Sequence, residues 1–201
     1  DLIEEIGRLH GFHRIEVQTK MPIIARPLQR NLAARQKLGE ILIAHGYHET
    51  INFSFIDPKI ADRFVLESHQ PVMVDDDRRK AEPMLRPALL PSLLQCRKRN
   101  QDGGNREVKL FETAAVWNAS TSKVVEQEQL ALLADAEDAI QTLRSMRGTI
   151  QEMIEQLAGG GKITTRPAHH PYLAEAVEVL MADRSIGFLG LVAPQIQQQF
   201  D

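Results

Sequence analysis

The chain has 201 residues, of which 43% are hydrophobic and 25% charged, with a formal net charge of -3. That is enough chain to bury a substantial core in one or two domains, at a composition ordinary for a globular protein. The negative balance argues against gripping a polyanion by bulk electrostatics, and no uninterrupted apolar stretch is long enough to span a bilayer.

The opening residues Asp1-Leu2-Ile3-Glu4-Glu5 lack the regions of a signal peptide and an initiator methionine, so the chain reads as an excised segment. Leu2, Ile6 and Leu9 share a helical face, and Gly11 is placed to end that helix. Residues 12–26 carry Ile15, Val17, Met21, Pro22, Ile23 and Ile24 without helical period and read as an extended linker. A boundary is therefore expected between segments 1–26 and 27–201. Pro27 suits an early helical position, Leu28, Leu32, Leu38, Ile41 and Leu42 make a stripe, and Gly46 is a stop. Ile51, Phe53 and Phe55 alternate with Asn52 and Ser54, which predicts a strand with its apolar side buried. Asp57-Pro58 caps a short helix through Phe64, and residues 72–74 read as a strand before the charged loop 75–82, including Asp75-Asp76-Asp77.

Leu89, Leu90, Leu93, Leu94 and Arg97 predict a helix ending before Gly103-Gly104. Its four leucines are more apolar width than one helix face buries, so this helix is expected to have its far side near a subunit boundary. Residues 107–117 and 129–134 read as antiparallel strands around the polar turn 118–123. Residues 139–158 are the clearest helix, stopped by Gly159-Gly160-Gly161. Three strands follow at 162–166, 175–181 and 186–192, the last two joined by a hairpin at 182–185, and Pro194 opens a final short helix. Helices set between runs of hairpin-linked strands indicate an α+β fold with a mainly antiparallel sheet.

Asp1, Glu4 and Glu5 fall on one helix face, an all-oxygen set suited to Mg²⁺. On spacing alone an acidic solvated face is the stronger reading. Gly159-Gly160-Gly161-Lys162 follows a helix and lacks the Ser/Thr of a phosphate loop, so it is a helix stop. The pairs His10/His13, His45/His48 and His169/His170 have no company of cysteines for zinc, and the single Cys96 fits a reducing compartment. Arg97, Lys98 and Arg99, with Arg106, form the one basic cluster. Helix C-termini gather cations anyway, and RNA contact there is the lesser reading.

Several stretches, in order, go further. Residues 1–12 (Asp1-Leu2-Ile3-Glu4-Glu5 through Gly11-Phe12) resemble the end of the B5 domain of the bacterial-type phenylalanine–tRNA ligase (phenylalanyl-tRNA synthetase) β subunit. Gly46-Tyr47-His48-Glu49-Thr50-Ile51-Asn52-Phe53-Ser54-Phe55 is similar to that family's Gly-Tyr-x-Glu-x-Ile-Asn-Tyr-Ser-Phe, and Leu85-Arg86-Pro87-Ala88-Leu89-Leu90-Pro91 to its Leu-Arg-x-Ser-Leu-Leu-Pro. Asn100, Asn105-Arg106, Lys109-Leu110-Phe111-Glu112, Gly190, Pro194 and Phe200-Asp201 continue the likeness. The resemblance implies a catalytic-like B6/B7 module with the class II synthetase fold, an antiparallel sheet flanked by helices after a short B5 remnant.

It also implies a place beside the α subunit in a cytoplasmic (αβ)₂ ligase that attaches phenylalanine to tRNA(Phe) with ATP. A Mg²⁺ site shared with the α subunit would draw on Asp1, Glu4 and Glu5, with a further aspartate upstream. No catalytic or ATP-binding residue is expected in this chain. Phe111 occupies the place that an Arg-x-Glu pair of motif 2 needs, and Gly187-Phe188-Leu189-Gly190 lacks the Gly-Arg of motif 3. The family's His-Pro-Gly-Arg stands here as His170-Pro171-Tyr172-Leu173. The alternative is a free-standing nucleic-acid or protein interaction module that uses the same fold.

Overall fold

The computed structural model describes residues 1–17, 19–21, 23–24, 26–75, 79–120 and 123–200. Asp76 and Asp77 of the expected acidic loop, residues 121–122 of the expected turn, Pro22 of the linker, and Asp201 lie outside them. The chain divides into two compact units, Asp1–Arg30 and Asn31–Asp201. In the first, helix α1 (Leu2–His10) ends at Gly11 with φ 92°, and a short 3-10 turn (Phe12–Arg14) follows. A Cβ on Gly7 would stand 3.1 Å from the Phe12 ring, so the missing side chain lets that ring fold back on the helix. None of the α1 residues is buried within its unit.

Among the described residues the second unit contains three small sheets, with one strand pair parallel and the others antiparallel. Helix α2 (Arg30–Ala44) leads to β1 (His48–Glu49), and the turn between them passes through Gly46 at φ 81°. Strand β2 (Phe55–Ile56), β3 (Val72–Met73) and β4 (Met84–Leu85) form one antiparallel sheet in the order β2-β4-β3. Between β2 and β3, α3 (Pro58–Ala61) starts on an Asp57 side chain that accepts from the Lys59 N–H, and it runs into a 3-10 turn at Asp62–Phe64. Helix α4 (Leu90–Asp102) precedes a long hairpin, β5 (Lys109–Ser120) and β6 (Lys123–Ala134), paired along their whole length. Strand β1 pairs β5 in parallel, giving the order β1-β5-β6. Helix α5 (Ala139–Leu157), capped by Asp138, leads to the antiparallel sheet of β7 (Ile163–Pro167), β8 (Leu173–Met181) and β9 (Arg184–Val192). Helix α6 (Pro194–Phe200) closes the unit.

The β1-β5-β6 sheet separates two cores because successive side chains on β5 alternate faces. Leu110 and its partner Leu133 face Leu93 and Leu94 of α4, Ile196 and Phe200 of α6, and Phe64. Phe111 faces the other way, with Ile41 and Leu42 of α2, Tyr47, and Met153 of α5. Helices thus cover both sides, and apolar-rich β5 is the central strand.

Two expectations are corrected. Leu89, Leu93 and Leu94 are 1%, 0% and 3% exposed, and half-buried Leu90 packs on the same core, so the α4 leucines have no free face for a subunit boundary. The α4 segment is covered by β5, β6 and α6 together, more neighbours than a one-faced helix would have. The segment 51–55 is not a strand with its apolar side buried: Ile51 is 94% and Phe53 86% exposed, and only Phe55 enters a ladder. The reason is polar. Asn52 is held inward by hydrogen bonds to Glu112, which turns its two apolar neighbours outward.

Candidate functional site

The polar centre of the second unit is an ion pair that sequence reasoning missed. Arg86 and Glu112 are each 2% exposed, and the Arg86 guanidinium donates to Glu112 Oε1 at 2.7 Å. Arg86 Nε also donates to the Ala115 carbonyl at 3.0 Å, and its backbone N–H to the Ser54 carbonyl at 2.9 Å. Glu112 receives the Asn52 amide at 2.9 Å and the Asn52 backbone N–H at 3.2 Å, while Thr50 donates to the Phe111 carbonyl. The cluster therefore ties the segment after β1 and the end of β4 to β5. Two buried charges survive there because each is paired and further hydrogen-bonded. The available signal was an arginine and a glutamate set in apolar runs, Met84-Leu85-Arg86-Pro87 and Leu110-Phe111-Glu112, where a charge has to find a partner.

This cluster occupies the stretch where motif 2 chemistry was sought. Phe111 is 1% exposed and fills the core between α2 and α5, and Glu112 is engaged by Arg86 and Asn52. Gly187-Phe188-Leu189-Gly190 lies within β9, where a Cβ on Gly190 would stand 2.9 Å from the Ala174 carbonyl oxygen. That glycine serves a close approach of β9 to β8. On the Leu110–Glu112 side, a groove of about 160 Å³ opens between Phe64, Tyr172, Pro87, Asn118, Gln127 and Gln129. Beside it the His170 ring lies edge-on to Tyr172 at 4.2 Å and tilted to Phe188 at 4.6 Å. Its Nδ1 is buried without a hydrogen-bond partner, and burial, followed by the charge of His169, lowers its pKa. Pro171-Tyr172-Leu173 places an aromatic against this ring and against Phe64 at 5.0 Å, so the loop is built as packing.

Asp1, Glu4 and Glu5 lie exposed at the start of α1, and Glu5 accepts from Arg8 at 2.6 Å. Their donor chemistry suits a hard cation, but among the described residues no three metal-binding side chains gather into one group. In the basic cluster, Arg97 is committed to Asp135 at 2.6 Å and the Arg99 guanidinium turns back to the Gln95 carbonyl, while Arg106 is exposed. His45 meets Glu152 at 2.7 Å, joining α2 to α5, and the other histidine pairs do not converge on a metal set among the described residues. No helix among the described residues is long and apolar enough to cross a membrane.

The fold has solved counterparts. A pyrrolysyl tRNA synthetase from Desulfitobacterium hafniense superposes with a TM-score of 0.64 at 16% identity, covering 85% of this chain and 61% of that one. A second structure of pyrrolysyl-tRNA synthetase from the same organism gives 0.61 at 17% identity over 84% of this chain and 61% of that one. At such identities the likeness shows the class II synthetase fold alone. By sequence, the phenylalanine–tRNA ligase β subunit of Thermotoga maritima is 25% identical across the whole chain, and that of Nitratidesulfovibrio vulgaris 30%. The chain spans 27% of the length of each. A family profile described as phenylalanyl tRNA synthetase beta chain CLM domain matches residues 16–201, and the chain belongs to that family.

Proposed function

We propose that this chain is a non-catalytic structural module of the β subunit of phenylalanine–tRNA ligase. In this reading it supports a partner α subunit that carries out the ATP-dependent attachment of phenylalanine to tRNA(Phe), in a cytoplasmic (αβ)₂ assembly. The observation that carries the reading is the motif 2 stretch of a family member matched over residues 16–201. Its Phe111 is core, and its Glu112 is consumed by a buried arginine. Electrostatic stabilisation of a reacting phosphoryl group needs charged donors facing the substrate, and these two positions supply none. The single cysteine agrees with a reducing compartment.

Asp1, Glu4 and Glu5 are proposed as part of a Mg²⁺ site whose remaining donors come from outside this chain, which is why they need not gather here. The surface offered to the α subunit is proposed to include Ile51 and Phe53, apolar side chains held outward by the Asn52–Glu112 hydrogen bonds. The test uses tagged full-length β subunit. It should capture the α subunit, and β alone should show no phenylalanine-dependent pyrophosphate exchange, while the assembly does. Exchange by β alone, free of host enzyme, would overturn the reading, as would failure to capture α.

A further inference from the structure

We draw no further inference here: the strongest candidate, the groove between Phe64, Tyr172, Asn118, Gln127 and Gln129 beside the buried His170 ring, belongs to the site already described, and its lining holds no sealed, unpartnered polar atom among the described residues that would point to a ligand.

Discussion

Arg86 and Glu112 each depend on the other's charge, and this fixes what their removal does. Arg86→Met leaves a carboxylate buried with only the Asn52 side chain and N–H for company, and is expected to cost about 3–5 kcal/mol. Combining it with Glu112→Leu should recover much of that loss. Denaturant midpoints of the four members of the cycle check the coupling, and simple additivity would contradict it. His170 acts through protonation. Its folded pKa lies below the unfolded value of 6.5, so the unfolded chain takes up the proton first. The neutral ring's contribution is therefore complete above 6.5 and is lost as pH falls from there through the lowered folded value. Melting temperatures followed downward from pH 7 should decline in the parent and less steeply in His170→Phe. For the proposed metal, Glu4→Gln should abolish any Mg²⁺-dependent resistance of the assembly to subunit dissociation, read by mass photometry across a Mg²⁺ series. Unchanged Mg²⁺ dependence would remove Glu4 from the site.

Among the elements, those with strong local signals were legible before the structure was known. The sequence reading of a helix over 139–158 rests on a sustained apolar period and a glycine run, and α5 spans Ala139–Leu157; its Asp138 cap is added by the structure. The β8–β9 hairpin was expected too, but its turn is tighter than the 182–185 reading. Ala182 and Asp183 both take positive φ, 48° and 61°, the backbone of a two-residue turn that normally recruits glycine or asparagine. Ala182→Gly should therefore stabilise by about 1 kcal/mol, since an L side chain in that region costs roughly this much. Gly190→Ala should do the reverse by driving a Cβ into the Ala174 carbonyl and loosening β9 from β8. Equilibrium unfolding of both variants decides the signs. What the sequence hid was long-range. The 51–55 alternation has a clear period, yet periodicity says only that two faces differ, and a partner 60 residues away chose the polar one to bury. The leucines of α4 misled for the same reason, since no local pattern reports how many elements will surround a helix.

At the scale of the whole second unit, apolar exposure is greatest on one segment. The two cores beside β5 enclose Phe64, Phe111, Leu42 and Leu93, whereas Ile51 and Phe53 are the most exposed large apolar side chains among the described residues of the second unit, on a segment whose inner side is tightly bonded. Interfaces between obligate partners resemble a core cut in half, and outward aromatic and branched side chains are what such a cut leaves. Phe53→Asp should leave the thermal unfolding of the β subunit within about 0.5 kcal/mol of the parent, as for an exposed site, while weakening capture of the α subunit. Equal capture by parent and variant would move the contact elsewhere.

The Asn52–Glu112 hydrogen bonds therefore carry a consequence beyond cohesion. Side chains alternate along an extended segment, so sliding residues 50–54 by a single position would exchange inside for outside. The residues themselves would welcome the exchange, because Ile51 and Phe53 are better core formers than the asparagine between them. The Thr50 and Ser54 backbone hydrogen bonds fix the two ends of the segment, and between them the acceptor oxygens of one glutamate hold Asn52 inward. Substituting Asn52 with valine while truncating Glu112 to alanine would release that latch. The segment could then swallow its own contact surface, giving a subunit more comfortable alone and poorer at company.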